Sequence, residues 1–370
     1  MKKIIVGTTI TTAILVLIHS LFINKVFANT TCIEKVDNIE YFNATLYNYN
    51  AINLNAYARG YTIDEFNKLS VEERINIDKK HTLFSSPGYM STWGKKKYGG
   101  ADLMYGGWQN GIQQVEKINE RVYLYSIDGA KQGLVQNKLL NDNIVLTYKN
   151  NNIELFPNQK QAEEKGLVGE NQVYKEILRN YKIPFIKEKS GYYSFDSDEY
   201  HLRKGENDKF ELHKGIVGGL SEWEARRTGL FPFNKECYTS SDTKECNELY
   251  YSIRLDIPFY MTENGKNLNL ETNKLEDMIF DFRGDDDVWV FVDDSLVLDL
   301  GGGHRAIKGY VNFSQNMSYV EATIDKNNEI YKDVYVNNLF GTNLLNEGEH
   351  TLKIFYIERF RRHSKLQGKI

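Results

Sequence analysis

An all-β fold, an antiparallel β-sandwich with helical insertions, is the class this sequence predicts, on three observations. From residue 230 onward, short runs of β-branched and aromatic residues recur between turns built of Gly, Asn and Asp, a spacing that belongs to sandwiches. One of these runs, Val288-Trp289-Val290-Phe291-Val292, is unbroken, as expected of an interior strand buried on both faces. The third is composition: 25 Tyr and 19 Phe bring the aromatic fraction to 13%, which suits strands better than a helical bundle.

The elements follow in order. Met1-Lys2-Lys3 opens an apolar stretch from Ile4 to Ile23, and Val26 and Ala28 stand where a signal peptidase reads small side chains. Residues 1–28 therefore read as a signal peptide cleaved after Ala28, and the protein as secreted or held at the cell surface. The competing reading is an uncleaved anchor, since the stretch is just long enough to cross a bilayer. Roughly 340 residues remain beyond it, enough for a substantial core. Residues 29–157 form an N-terminal β-rich part: Tyr41 to Tyr49 alternates with period two, and Val122 to Tyr125 is a further strand. Thr62 to Lys79 reads as one helix or two, with Ser70-Val71-Glu72-Glu73 as a capping box. Residues 158–229 read as a helical and loop insertion, most helical from Asn171 to Tyr181, where Val173, Ile177 and Leu178 share a helical face. Residues 230–370 are the sandwich core, with strands near Tyr250–Tyr260, Met278–Phe282, Val288–Val292, Leu296–Leu300, Tyr310–Phe313, Tyr319–Ile324 and His350–Ile357.

A net charge of −4 gives no reason to expect nucleic acid or an acidic membrane as partner. Of the three cysteines, Cys237 and Cys246 are separated by a short polar turn and are expected to pair in an exported protein. Such a loop closure stabilises by roughly 2.5–3 kcal/mol. Zinc would need four clustered ligands, and the neighbourhood supplies none. Cys32 is left as a single thiol.

The most informative window is Gly284-Asp285-Asp286-Asp287, immediately before the Val288–Val292 strand. Three successive carboxylates at the mouth of a buried strand repel one another, and a hard cation with oxygen ligands relieves that repulsion; Ca²⁺ accepts six to eight oxygens in flexible geometry. A solvated acidic turn is the other reading. The loop is not an EF-hand, lacking its ligand spacing and flanking helices. Gly301-Gly302-Gly303 is not a phosphate loop, because no Lys-Ser/Thr or helix follows.

The run from Gly284 to Asp293, followed by Leu296-Val297-Leu298-Asp299-Leu300-Gly301-Gly302-Gly303-His304 and Gly309-Tyr310-Val311-Asn312-Phe313, resembles the fibro-slime domain family. That family is related to the lectin domain shared by anthrax protective antigen, yeast flocculins and bacterial glycosidases. Leu230-Phe231-Pro232-Phe233, Asp277 to Phe280 and His350 to Arg359 extend the resemblance. It implies a β-sandwich in which Asp285 and Asp286, joined by a cis peptide, hold a Ca²⁺ that in turn holds sugar hydroxyls, with Asp287 turned away from the metal. Asp287, His304 and Arg359 are additional candidates for contact with the sugar, although His304, after three glycines, also reads as a surface histidine in a turn. Two departures stand out. Asp293-Asp294 replaces the common Asp-Gly, which predicts a wider hairpin turn, and Ser364-Lys365 replaces Ser-Asn near the C-terminus.

Catalytic motifs are sparse. There is no Gly-x-Ser-x-Gly elbow and no His-Glu-x-x-His. Glu358 is a candidate glycosidase carboxylate, set against a plain Glu358-Arg359 turn. Trp93, Tyr98, Tyr105 and Trp108 offer rings for a second sugar-facing wall, or for packing. The sequence therefore predicts a calcium-dependent carbohydrate-binding or adhesion protein, not an enzyme, whose partners are glycans or cell-surface polysaccharide. The alternative is a structural matrix component in which calcium only stiffens the loop; a glycosidase or a toxin-delivery subunit ranks last.

Overall fold

The computed structural model describes residues 34–58, 60–70, 73, 115–118, 121–124, 129–130, 132–146, 153–214, 232–233, 250–284, 286–302, 304, 306–323, 332–358 and 366–369. The chain runs through β1 (Glu34–Lys35), β2 (Ile39–Tyr49), α1 (Ala51–Tyr57), α2 (Ile63–Lys68), β3 (Val115–Ile118) and β4 (Arg121–Leu124). It continues with α3 (Gln159–Glu164), β5 (Tyr174–Lys187), β6 (Tyr193–Asp196), β7 (Tyr200–Lys204) and β8 (Phe210–Lys214). Then come β9 (Tyr251–Met261), β10 (Lys266–Asn269), β11 (Lys274–Asp277), β12 (Ile279–Gly284), β13 (Asp287–Val292) and β14 (Ser295–Leu300). The last strands are β15 (Ile307–Asn312), β16 (Met317–Thr323), β17 (Lys332–Asn337), β18 (Gly348–Glu358) and β19 (Leu366–Lys369).

Twelve strands form one ladder in the order β14-β13-β18-β9-β2-β5-β6-β19-β12-β15-β16-β17. The ladder folds over between β5 and β6, so that its two halves face each other. Leu46, Ile253, Val290 and Ile354 from the first half share a single core with Phe280, Phe282, Val311 and Val320 from the second. Near the ends the halves touch: a Cβ added to Gly309 of β15 would lie 3.0 Å from the Leu300 side chain of β14, a contact tight enough that Leu300 would have to shift. The protein is thus an all-β antiparallel sandwich, as the strand spacing predicts.

A second core lies on the back of the first half. There Tyr47, Trp289, Phe291 and Phe355 pack against Leu54 of α1, Ile63 of α2, Ala162 of α3 and Phe156 just before α3. This layer explains the unbroken apolar run. Val288, Val290 and Val292 point into the first core while Trp289 and Phe291 point into the second, and none of the five is more than 2% exposed. Each such buried side chain contributes about 1.5–3 kcal/mol. β13 is paired on both sides, by β14 and β18.

Two capping boxes hold the N-terminal part, the one read from sequence at Ser70–Glu73 and another at Thr62–Glu65. Thr62 and Glu65 exchange side-chain and backbone bonds around the start of α2, and Ser70 and Glu73 do the same, with Ser70 N donating to Glu73 Oε2 at 2.7 Å.

Three expectations are corrected. The segment from Asn171 to Tyr181 is not helical; most of it is strand β5, which pairs with β2 through two bulges that place its apolar residues at helix-like intervals. Of the predicted helical insertion at 158–229, only α3 is helical among the described residues, and β5 and β6 sit in the middle of the ladder. The Asp293-Asp294 turn is also not widened. Val292 pairs directly with Ser295, Asp293 takes the left-handed conformation at φ 51°, and the irregularity falls later, between the Val290–Leu298 and Phe291–Leu296 pairs. Asp293 tolerates that backbone because its carboxylate is engaged, accepting from Thr351 N at 3.0 Å and lying 2.9 Å from His350 Nδ1.

Candidate functional site

The acidic turn lies where β13 begins and β18 ends, and the glycine turn after β14 reaches it through Asp287. Asp286 is 3% exposed with φ 60°, and Asp287 is fully buried. Asp287 pairs in register with Ile357, so the next positions outward on the two strands are Asp286 and Glu358. Glu358, the last residue of β18, is itself buried; Tyr356 donates its hydroxyl to Glu358 Oε2 at 2.7 Å, and the Tyr49 hydroxyl donates to the Glu358 carbonyl. Three buried acidic residues therefore stand at the same end of β13 and β18.

The glycine turn is folded around Asp287 and a fourth acid, Asp299 of β14. Gly302 N donates to Asp287 Oδ1 at 2.6 Å, and Gly302 has φ 94°, a backbone conformation that L side chains avoid. Gly301 N donates to Asp299 Oδ1 at 3.0 Å, and Gly133 N to Asp299 Oδ2 at 2.7 Å. Burial pushes the Asp299 carboxyl up to about 6, with the nearby charge of Asp287 adding to the rise and the two backbone donors opposing it. Two carboxylates thus satisfy backbone N–H groups that the sharp turn would otherwise leave without acceptors.

The sequence-predicted residues fall as follows. Asp286 and Asp287 sit side by side in the turn; Asp287 is directed to the Gly302 backbone. His304 is not a surface histidine: it is fully buried, with Nε2 3.1 Å from the Leu300 carbonyl, because the glycine turn tucks inward over the end of β14. Glu358 stands at the end of strand β18 and is fully buried. Asp285, and with it the expected cis link to Asp286, lies outside the described residues, as do Arg359, Cys32, Cys237, Cys246, Trp93, Tyr98, Tyr105, Trp108, Ser364 and Lys365. Residues 1–28 lie outside them as well.

Among the described residues no group of three His, Cys, Asp or Glu side chains is arranged to hold a metal ion. The donor set at the turn is nonetheless all oxygen, which is the chemistry of a hard cation such as Ca²⁺, and such a cation completes its shell with backbone carbonyls and water. Asp286, together with its neighbour Asp285, would supply the carboxylates.

One cluster escapes a reading of the sequence. Arg254 of β9 reaches Asp142 Oδ2 at 2.6 Å and Asp256 Oδ1 at 3.0 Å, and Lys353 of β18 reaches Asp142 Oδ1 at 2.8 Å and Asp294 Oδ1 at 3.2 Å. Partial burial pushes the Asp142 carboxyl up, but hydrogen bonds from Lys353 and Arg254 outweigh it and hold the group below the usual carboxylate range. Beside this cluster, Leu139 N donates to the Asp294 carbonyl and Leu296 N to the Asn137 carbonyl. The 132–146 segment is thereby fastened over the edge strand β14, shielding an edge that would otherwise invite pairing with another chain. The period-two placement of Arg254 and Asp256 was visible in sequence; the partner Asp142, 112 residues away, was not.

No protein-family model matches the chain. Among curated proteins it is similar to several from Dictyostelium discoideum. Protein psiG is 38% identical over 86 residues, 23% of this chain and 12% of psiG, and protein psiO is 32% identical over 121 residues, 28% of this chain and 16% of psiO. Protein psiE is 66% identical over 29 residues, 8% of this chain and 6% of psiE. The chain's match thus spans less than a fifth of these relatives' own length. Among solved structures, a β-glucosidase from Kluyveromyces marxianus in complex with glucose is similar over 49% of this chain and 15% of that one, at 12% identity. The TM-score of 0.20 is too low to bear on fold or activity.

Proposed function

We propose that the protein is an exported, calcium-dependent carbohydrate-binding or adhesion protein whose metal is held by Asp285 and Asp286. The observation that carries this reading is the burial of Asp286, 3% exposed, beside the fully buried Asp287 and Glu358 at one end of the sandwich. Carboxylates gathered away from water remain anions at low cost when a cation joins them. The resemblance to the fibro-slime family supports the same site and adds the sugar. In this reading the metal fixes the acidic turn, and hydroxyls of a surface glycan complete its coordination. Binding, not catalysis, is the function. Residues 1–28 would direct export.

A second reading has its own support. The bonds from Gly302 to Asp287 and from Gly301 and Gly133 to Asp299 make the acidic turn an internal brace, so calcium would serve stability alone in a structural surface component.

The two readings separate in one experiment. A metal bound only by the folded protein at about 100 times its Kd adds about 2.7 kcal/mol of stability. Millimolar Ca²⁺ is expected to raise the melting temperature of the wild-type protein and to leave the Asp285→Asn, Asp286→Asn double variant unchanged. Glycan-array binding is expected to vanish with chelator. Calcium-dependent melting with no glycan bound selects the structural reading. If calcium moves neither protein, the turn is held by its internal hydrogen bonds alone and both readings lose their metal.

A further inference from the structure

We propose that the outer face of the second half-sheet binds an extended, neutral polysaccharide chain, at a site separate from the acidic turn and without calcium. Pairing registers place six residues in one straight row across six strands. They are Ser194 of β6, Lys369 of β19, Asp281 of β12, Tyr310 of β15, Tyr319 of β16 and Tyr335 of β17. A second row beside it holds Asp196, Gln367, Arg283 and Lys308. The inward neighbours of these residues, among them Phe195, Phe280, Phe282, Val311 and Val320, belong to the first core, so the platform is rigid.

The two ends of the row differ in chemistry. At the β6–β15 end a groove of about 620 Å³ carries charges of both signs. Lys308 lies 3.0 Å from Asp281, Lys369 lies 2.9 Å from Glu188, and Gln367 donates to Asp196 at 2.9 Å. At the β15–β17 end the three tyrosines form a contiguous strip, with ring centroids 5.2 Å and 4.8 Å apart, and Tyr335 is 59% exposed.

This combination selects the occupant. The groove lining holds four carboxylates (Glu188, Asp196, Glu199, Asp281) against three cations (Arg283, Lys308, Lys369), so it projects no positive field to attract a polyanion. A protein interface depletes charge at its centre, whereas here the charges occupy the centre. A hydroxyl both donates and accepts, and closely interleaved ammonium, amide and carboxylate groups serve it in either role. The tyrosine strip offers apolar ring surface for the C–H groups of a pyranose. Five inter-strand steps of about 4.8 Å make the row about 24 Å long, which calls for a chain of several sugars. The inference shares the glycan class of the function proposed above but uses none of its residues and no metal.

The test uses the full chain in excess EDTA, with calorimetric titration of cellohexaose, laminarihexaose and mannohexaose, their trisaccharides, and heparin as a polyanion. At least one neutral hexasaccharide is expected to bind, at least tenfold more tightly than its trisaccharide. Tyr319→Ala and Asp281→Asn are each expected to weaken it about tenfold, while Tyr319→Phe, which keeps the ring, retains it. Tyr260→Ala, at an exposed tyrosine elsewhere on the surface, should leave binding unchanged, and equal melting temperatures would confirm that the variants fold. The proposal is overturned if no hexasaccharide binds in EDTA, if heparin alone binds, or if binding survives both Tyr319→Ala and Asp281→Asn. Glycan binding that appears only when calcium is restored overturns it too, while leaving the acidic-turn reading intact.

Discussion

The two halves of the sandwich are built from the same kind of strand yet are covered differently. In the first half, β13 is buried at all six positions because a second layer packs on its back. In the second half, β12 alternates: Phe280, Phe282 and Gly284 are buried while Asp281 and Arg283 face outward. β17, at the end of the ladder, exposes five of its six residues. A strand buried on both faces gives up alternation, and with it any place to present polar side chains except at its ends, which is where Asp286 and Glu358 stand. A strand covered on one face carries chemistry at every second residue.

The largest test of this contrast is Trp289→Ala. Trp289 is fully buried between β13 and the α1–α3 layer, and removing such a side chain costs about 3–5 kcal/mol. Urea unfolding monitored by far-UV circular dichroism measures it. A loss below about 1 kcal/mol would mean that the back layer does not pack on the first half, since exposed substitutions cost about that little.

The same contrast decides what the sequence made legible. β13 and β2 could be read directly, one from its unbroken apolar run and the other from its alternation. β5 could not. Ala44 pairs with Tyr181 but Leu46 with Leu178, and Asn48 pairs with Glu176 but Tyr49 with Tyr174, so the bulged strand carries an extra residue at each shift. Its buried residues Tyr174, Ile177 and Tyr181 are spaced three and four apart, the interval of a helix. Ile177 and Leu178, which share a helical face on paper, in fact pack against opposite cores. Of the candidate site, the acidic turn was legible because like charges in sequence need an explanation. The burial of His304 and the role of Asp299 were not, because both depend on a glycine turn folding back onto carboxylates of two different strands.

An intermediate effect comes from the charge enclosed near the first half. The Asp299 carboxyl is raised to about 6 from an ordinary 3.8, so between those values the folded protein holds a proton that the unfolded chain releases. Its stabilising contribution is therefore fully present below about pH 3.8 and is lost as pH rises through about 6. Asp299→Asn is neutral throughout. The stability of the wild type relative to this variant is expected to fall between pH 4 and pH 6.5, by at most about 1.4 kcal/mol per pH unit for one proton. Urea midpoints of the two proteins at four pH values read the difference directly, and contributions from other groups cancel. A difference that stays flat across the window would mean that Asp299 is not held in the environment described.

The smallest effect belongs to the open half. Tyr335 is 59% exposed on the last strand of the ladder and touches Tyr319 at 4.8 Å between ring centroids. A cross-strand aromatic pair of this kind contributes about 0.2–1 kcal/mol, so Tyr335→Ala is expected to cost about 0.5 kcal/mol. The comparison with Trp289 is informative because both side chains are large aromatics on paired strands of one ladder. What differs is the second layer, present behind β13 and absent, among the described residues, over β17. A cost above about 2 kcal/mol for Tyr335→Ala, as expected for a well-packed core residue, would show that something covers this face in the intact protein and would remove it as a surface open to a ligand. A cost near the expected value leaves a folded variant in which any loss of glycan binding reports on contact with the ring.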